Sequence, residues 1–131
     1  MLLKEMLLLR DCPSSAIVAV RDLDRARAFY ADTLGLDVTE EDGMLNLKFP
    51  NGHTVLIYPK GGDHQPATYT VLNFDVDDIE AAVDELVSRG VTFERYGDFG
   101  QDERPIMRDQ GPPIAWFKDP AGNILSVIKT G

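Results

Sequence analysis

A short turn that occurs twice in the chain constrains its fold more than any other feature. In the second copy, the sequence Asp-Pro-Ala-Gly-Asn at 119–123 separates two apolar runs. Proline fixes φ, and glycine and asparagine tolerate positive φ, so this pattern predicts a tight turn between two antiparallel strands. A weaker copy lies seventy residues earlier, where Pro50 and Gly52 take the places of Pro120 and Gly122. The chain is therefore interpreted as one structural unit used twice.

The residues around the first turn predict a strand, a helix and three further strands. The β-branched apolar run at 15–20 predicts a buried strand. Asp22 can cap the following helix, and Gly35 suits the position just after the helix end. The first unit therefore has the order β-α-β-β-β, with the helix at about 22–34 and the later strands at 36–41, 44–49 and 53–58.

The same order restarts after a polar, glycine-rich linker at 59–66. A helix that Asp77 or Asp78 can cap and Gly90 can end is predicted at about 77–89. Its apolar face consists of Ile79, Ala82, Val83, Leu86 and Val87. The strands of this unit are predicted at 69–76, 91–96, 114–118 and 124–128. Between the strands at 91–96 and 114–118 lies an irregular insertion, Gly97–Pro113, and loops of this length are usually lids or binding loops.

Length and charge limit the possible classes of function. The 131 residues are interpreted as one domain, with a first module at about 13–58 and a second at about 67–131. The net charge of −9 argues against nucleic acid and anionic membranes as partners. No apolar run approaches the ~18 residues of a membrane span, and the N-terminus lacks the apolar centre of a signal peptide. Residues 1–12 are interpreted as either an extra strand or an arm that packs on a partner subunit.

The cysteine and histidines give little sign of chemistry. Cys12 is the single cysteine, so an internal disulfide is excluded and a reducing cytoplasm fits. Because no histidine lies near it in sequence, a structural thiol is favoured over a nucleophile. The two histidines, His53 and His64, are interpreted as solvated residues of a turn and of the linker.

Several motifs appear in a fixed order along the chain. They are Val-Arg-Asp-Leu-Asp-Arg-Ala at 20–26, Phe-Tyr at 29–30, Thr-Leu-Gly-Leu at 33–36, Phe-Asp-Val-Asp-Asp-Ile at 74–79 and Phe-Lys-Asp-Pro-Ala-Gly-Asn at 117–123. Together they resemble the vicinal oxygen chelate superfamily of glyoxalase I, bleomycin and fosfomycin resistance proteins and extradiol dioxygenases. The resemblance covers residues 15–128. It implies an α+β fold, in which two tandem βαβββ modules place curved mixed sheets around a cavity, and it implies a homodimer.

Enzymes of this superfamily typically hold a divalent metal through one side chain on the first strand and one on the last strand of each module. The resemblance maps these positions onto Ser15, Leu56, Val71 and Ser126. None of the four carries an imidazole or a carboxylate, the groups that normally bind zinc, manganese or iron. We therefore expect no metal and no other cofactor.

Alternation along the strands predicts which side chains line the cavity. Trp116 is included because it matches Asn46 in the first unit, although ordinary core or interface packing is an open alternative for it. Met107 is included as a residue of the insertion that can close over the pocket, with an exposed loop position as its alternative. The predicted lining residues are Ser15, Ile17, Leu56, Tyr58, Val71, Asn73, Asp75, Met107, Trp116, Ser126 and Ile128.

Two classes of function remain. The first is metal-independent binding of a small hydrophobic or cationic organic compound, similar to the bleomycin-type resistance proteins. The second is a glyoxalase- or dioxygenase-like enzyme, a lyase, isomerase or oxidoreductase, with a displaced or absent metal site and Asp75, Tyr58 or Asp109 as acid or base. No nucleophile–base pair or phosphate-binding loop is visible in the sequence, so binding is favoured. The negative net charge favours a neutral or cationic ligand.

Overall fold

The computed structural model describes residues 8–50, 52–97 and 100–131. Its seven strands are β1 (Ser15–Val20), β2 (Asp37–Glu41), β3 (Met44–Lys48), β4 (Thr54–Pro59), β5 (Thr70–Asp75), β6 (Ile114–Lys118) and β7 (Ile124–Ile128). Its helices are α1 (Leu23–Arg27), which continues as a π-helix over Ala28–Thr33, and α2 (Ile79–Ser88). Of the ambiguous N-terminal stretch, residues 1–7 lie outside the described part, and Leu9–Asp11 form a 3₁₀ turn.

The strands form two separate mixed sheets. The first has the order β1-β4-β3-β2, and the second has the order β5-β7-β6. In each sheet the first strand pairs in parallel with the last strand of its module, and that last strand pairs antiparallel with the strand before it. The predicted α+β class with its repeated connectivity is therefore confirmed.

The predicted strand at 91–96 is wrong, because this segment makes only isolated contacts with β6. Phe93 forms a single bridge with Phe117, and the Glu94 amide donates to the Trp116 carbonyl at 2.8 Å. The side chain of Gln101 forms hydrogen bonds with backbone groups of this segment that pairing with a neighbouring strand would otherwise use. It accepts from the Tyr96 amide at 2.6 Å and donates to the Glu94 carbonyl at 2.9 Å. A local side-chain contact has thus replaced regular pairing.

Both helices begin at the predicted caps. The Asp22 carboxylate accepts from the amide of Asp24 at 2.9 Å, and the Asp78 carboxylate accepts from the amide of Ala81 at 3.0 Å. The apolar face of α2 differs from the prediction at its last turn. Val87 is 53% exposed, whereas Leu86 packs against the core. The buried stripe of α2 therefore passes to one side of Val87.

The two modules share one hydrophobic core. The side chains that are almost fully buried come from both sheets and both helices, and include Tyr30, Leu45, Ile57, Val83, Phe117 and Leu125. Phe29 of the first module contacts Phe117 of the second, with ring centroids 6.4 Å apart. Strand residues that alternate with this core lie on the face of each sheet away from the helices, which we call the open face. Within the described residues, no helix has the length and apolar character to cross a membrane.

The second copy of the turn connects the two modules. Asp119 and Asn123 are both buried. The Tyr30 hydroxyl, from the first module, donates to the Asp119 carboxylate at 2.7 Å. The Asn123 side-chain amide donates to the Ala19 carbonyl of β1 at 2.7 Å and to Asp119 at 2.9 Å. The turn that the sequence predicts as a hairpin therefore also fixes how the modules pack.

Candidate functional site

The open face of the second sheet carries a cavity with aromatic walls. Its volume is about 360 Å³. Six residues line it and define what we call the aromatic cavity: Thr68, Tyr69, Thr70, Tyr96, Trp116 and Ile124. Its flat side chains provide apolar surface, and its threonines provide hydroxyl groups. Apolar walls with a few polar groups are the usual composition of a small-molecule site.

β6 places Trp116 in this cavity. The neighbours of Trp116 along the strand, Ala115 and Phe117, are buried in the core, so the indole projects to the open face. Its Nε1 donates to the Thr70 hydroxyl at 3.1 Å. Its ring meets the Tyr96 ring edge to face, with centroids 5.4 Å apart and an interplanar angle of 76°. These two contacts fix the orientation of the indole.

The insertion positions Tyr96. Gln101 accepts from the Tyr96 amide and donates through its Nε2 to the carbonyls of Glu94 and Pro105, at 2.9 and 2.7 Å. One side chain therefore ties the start of the insertion to its middle. Because Gln101 holds the backbone that leads into Tyr96, it helps to position the Tyr96 ring beside Trp116.

A β-bulge near the start of β5 decides which residue reaches the cavity. Thr70 pairs with Ile124 and Leu72 pairs with Leu125, so Val71 is an extra residue in the ladder. Val71 packs against the core, whereas Thr70 lies on the open face and binds Trp116. Strict alternation places Val71 on the open face, and the bulge is the reason that the structure differs.

Two rows of predicted residues continue from the cavity across the open face of the second sheet. Asn73 pairs with Ser126, which pairs with Trp116. Ser126 is fully buried, and its hydroxyl donates to the Asn73 side-chain carbonyl. In the next row, Ile128 pairs with Ile114, which bridges to Met107 of the insertion. Met107 is buried, so its alternative placement as an exposed loop residue does not hold.

Asp75 lies at the exposed end of this face and is held by the C-terminal tail. The hydroxyl and amide of Thr130 both donate to its carboxylate. These hydrogen bonds hold the pKa of Asp75 below its ordinary value. A carboxylate that is stabilised as the anion is a weak proton donor near neutral pH, so this environment does not favour Asp75 as a general acid.

The other predicted lining residues lie on the open face of the first sheet. In this sheet Ser15 pairs with Thr54, Ile17 with Leu56 and Ala19 with Tyr58. Ile17 is 65% exposed and Tyr58 is 46% exposed. Leu56 also borders a small cavity of about 100 Å³ beside Asn46. The structure thus divides the predicted lining residues between two sheets instead of gathering them around one cavity.

The four positions that family enzymes use for a metal do not suit one here. Ser15 and Leu56 lie on the first sheet, while Val71 packs on the core and the Ser126 hydroxyl is engaged with Asn73. Serine hydroxyls and aliphatic side chains are not the ligands that divalent transition metals prefer. Across residues 8–50, 52–97 and 100–131, no group of three or more histidine, cysteine, aspartate or glutamate side chains is placed to hold a metal ion.

The histidines and the cysteine differ in their surroundings. His64 is only 3% exposed, so its prediction as a solvated linker residue is wrong. The 3₁₀ turn Gly61–Asp63 folds the linker back, and the His64 amide donates to the Gly61 carbonyl at 3.1 Å. The ring of His53 is half-buried, with its centroid 6.2 Å from that of Phe49. Cys12 is exposed, and its thiol donates to the Leu8 carbonyl.

Of the six residues that line the aromatic cavity, only Trp116 is in the predicted set; Thr68, Tyr69, Thr70, Tyr96 and Ile124 are not. Tyr69 precedes β5, Thr70 owes its position to the bulge, and Tyr96 belongs to the segment that was predicted as a strand. The sequence did hold one usable signal: Tyr69 begins one predicted strand and Tyr96 ends another, in the same module as Trp116. The bulge itself leaves no mark in the sequence, because residues 69–73 contain no glycine or proline.

Comparison with known proteins agrees with this architecture. The model of the Glyoxalase/Bleomycin resistance protein/Dioxygenase superfamily matches residues 14–127. A structure described as Oxidase ChaP-H2 is 25% identical, with 92% of this chain and 94% of that chain covered and a TM-score of 0.67. A search of curated proteins found no match.

Two further solved structures share the fold. A glyoxalase family protein from Enterococcus faecalis is 20% identical, with 89% of this chain and 94% of that chain covered and a TM-score of 0.66. TnmS3, an antibiotic binding protein from Streptomyces sp. CB03234, is 19% identical, with 92% and 98% covered and a TM-score of 0.66. From the family match over most of its length and the repeated connectivity of its sheets, the chain belongs to the glyoxalase/bleomycin resistance protein/dioxygenase superfamily.

Proposed function

We propose that this protein binds a small, flat organic compound, neutral or cationic, in the aromatic cavity and without a metal. The observation that carries the proposal is the fixed indole of Trp116, set between the Tyr96 ring and the Thr70 hydroxyl. A preorganised aromatic wall loses little conformational freedom when a ligand stacks on it. Tyr69 is 69% exposed at the cavity edge and offers a second flat surface.

Charge supports a neutral or cationic ligand over an anionic one. The protein carries a net charge of −9. Next to the cavity wall, Glu94 and Lys118 form an ion pair at 3.4 Å that adds no net charge, so the preference comes from the charge of the whole protein. A cation over the indole would add about 0.5–2 kcal/mol of cation–π attraction. The fold neighbour TnmS3, described as an antibiotic binding protein, agrees with this class of function.

The test uses the intrinsic fluorescence of Trp116, which is the single tryptophan of the chain. We expect N-methylacridinium and its neutral parent acridine to quench this fluorescence saturably, and acridine-9-carboxylate to bind more weakly. Tyr69→Ala removes one flat wall and should weaken acridinium binding by about tenfold. Val87→Ala is the matched control, because Val87 is exposed on α2, outside the residues that line the cavity. Equal affinity of wild type and Tyr69→Ala for acridinium would reject this site.

The metal-independent part of the proposal is tested separately. The four positions available for ligands carry two serines, a leucine and a valine. We expect elemental analysis of purified protein to find no stoichiometric zinc, manganese, iron or nickel, and acridinium binding to be unchanged by a chelator. About one metal ion per chain, with binding lost on chelation, would contradict this expectation.

The alternative is a glyoxalase- or dioxygenase-like enzyme. The observation that favours it is the neighbour described as an oxidase, at 25% identity. Tyr58 and Asp109 are exposed and Asp75 is held as the anion, so none of the suggested acid–base residues has a sheltered position next to the aromatic cavity. Mass spectrometry of a bound compound after prolonged incubation separates the two functions, because turnover changes its mass and sequestration does not. Cytoplasmic residence remains part of the proposal and fits the single cysteine.

A further inference from the structure

A second pocket lies on the opposite side of the protein, where the two modules meet beside α2. Its volume is about 240 Å³. Its walls come from the end of the first helix (Leu34, Leu36), the end of β5 (Phe74, Val76) and α2 (Ala82, Leu86). We call it the inter-module pocket. None of its lining residues lies on the open face of either sheet, so it is separate from the aromatic cavity.

The floor of this pocket is well packed. It is formed by Phe117 and Val127, which are 1% and 3% exposed. Phe117 is also held by the rings of Phe29 and Phe93, at centroid distances of 6.4 and 5.4 Å. Because Phe29 and Phe93 pack against Phe117, the Phe117 ring cannot move into the space above it. The pocket is therefore a persistent apolar concavity.

The main polar group of the pocket is the guanidinium of Arg89, which lies at the rim. Its Nε donates to the Glu85 carboxylate at 3.0 Å, and its Nη1 donates to the Thr33 carbonyl at 3.2 Å. The guanidinium passes over Gly35, where an added Cβ would lie 3.2 Å from Nη1. Among the described residues, Nη2 of Arg89 has no hydrogen-bond partner. The rim thus presents the Nη2 amino group of Arg89 as a donor next to two engaged nitrogens.

The charge at the rim is balanced. Glu85 and Arg89 are the charged residues that line the pocket, and they form an ion pair with each other. A ligand carboxylate at Nη2 would approach Glu85 and would meet a protein of net charge −9. A ligand ammonium would face the positive guanidinium, which repels it and has no acceptor to offer. A neutral oxygen acceptor satisfies Nη2 without either repulsion.

We propose that the inter-module pocket binds a neutral ring compound slightly larger than benzene, whose single carbonyl or hydroxyl oxygen accepts a hydrogen bond from Nη2 of Arg89. The size follows from volume, because a dry apolar cavity of about 150 Å³ accommodates benzene. The remaining space suits one short substituent. This site goes beyond the proposed function and does not depend on it.

The experiment compares three probes of similar skeleton: acetophenone, ethylbenzene and benzoate. Methyl groups of Leu34, Val76 and Leu86 are followed by NMR during titration of the full-length protein. We expect acetophenone to shift these methyl signals saturably, ethylbenzene to bind about tenfold more weakly because it lacks the acceptor, and benzoate to bind more weakly than acetophenone. Methyl signals that respond to none of the probes at millimolar concentration would overturn the proposal.

Variants assign the effect to the pocket and to the donor. Arg89→Met should reduce the affinity for acetophenone to that for ethylbenzene and leave ethylbenzene unchanged. Ala82→Phe fills the pocket and should abolish the binding of acetophenone and of ethylbenzene. Ala81→Phe, on the exposed side of α2, should leave the binding of both compounds intact. Trp116→Phe should leave acetophenone binding at these methyls intact. If Ala82→Phe does not fold, Arg89→Met decides, and an unchanged preference for acetophenone in Arg89→Met overturns the assigned donor.

Discussion

At the scale of single residues, Asp119 links the second turn to the first module. Its carboxylate accepts hydrogen bonds from the Tyr30 hydroxyl, from the Ala121 amide and from both nitrogen atoms of Asn123. Asp119 is only 5% exposed, so each of these donors replaces a lost water contact. The negative charge can be buried because hydrogen-bond donors of the turn and of the first module together replace its hydration.

Tyr30→Phe tests this connection. The change leaves the buried Asp119 carboxylate with one donor fewer and should lower the free energy of unfolding by about 1–3 kcal/mol. Urea denaturation measures the effect. Tyr58→Phe is the matched control, because Tyr58 is 46% exposed. Equal stability of the two variants would show that the hydroxyl of Tyr30 contributes nothing.

The surroundings of Tyr30 also predict that the stability of the protein depends on pH in the alkaline range. Burial, the charge of Asp119 and the hydrogen bond to it raise the pKa of Tyr30 above its ordinary value of 10.0. The unfolded chain therefore releases this proton first, and stability falls as pH rises above about 10. The fall should be shallower in Tyr30→Phe than in Tyr58→Phe when both are measured by urea denaturation at several pH values.

At the scale of elements, ion pairs fasten the insertion to α2. Arg108 pairs with Glu80 at 3.2 Å and with Asp102 at 2.9 Å, and Arg104 pairs with Asp84 at 3.0 Å. Asp102 also accepts from backbone amides within the insertion. Individually these exposed pairs contribute little stability, but together they fix the position of a segment that has no regular structure.

Acid should loosen this arrangement. Partial burial raises the pKa of Asp102, but hydrogen bonds from Arg108 and from the amides of Ile106 and Arg104 outweigh it and leave the pKa below the ordinary value of 3.8. Its stabilising effect is therefore present above that value and is lost as pH falls through the lower pKa of the folded protein.

Asp102→Asn tests this arrangement at neutral pH, where it should reduce the protection of the Ile106 and Arg104 amides against hydrogen exchange. Glu103→Gln is the control, because the hydrogen bond from Arg95 to Glu103 goes to the backbone carbonyl of Glu103, which the substitution leaves in place. Unchanged protection in Asp102→Asn would contradict the role given to this carboxylate.

At the scale of the whole molecule, the open face of the first sheet lies exposed in the single chain. Ile17 is 65% exposed on β1, an edge strand, and Tyr58 lies on β4 two residues beyond Leu56, the partner of Ile17. The family resemblance implies a dimer, and the apolar run Met-Leu-Leu-Leu at 6–9 would need cover in it. Met6 and Leu7 lie outside the described residues, and Leu8 and Leu9 are exposed. Exposed apolar surface of this kind is typical of an interface.

We propose a homodimer that covers this face. Light scattering should give a mass of about twice 14.5 kDa at micromolar concentration. Ile17→Lys should shift the mass to that of a monomer, because it places a charge in the interface. Val87→Lys, at an exposed apolar residue of α2, should leave the dimer intact. A wild-type mass near 14.5 kDa would rule the dimer out.

Except for the strand expected at 91–96, the sequence by itself determined the elements and their order, because those depend on local rules. The Asp22 and Asp78 caps, the two turns and the periodicity of the strands each act within a few residues. The repeat of these signals, and the resemblance they carry, led to the correct family and fold class.

Tertiary structure decided what local rules do not encode. The bulge that brings Thr70 to Trp116 and the burial of His64 depend on how distant segments pack together. So does the separation of the predicted lining residues onto two sheets. A strand pattern specifies the face of a side chain but not the partner that the face meets, because that partner is set by how the modules pack around the shared core.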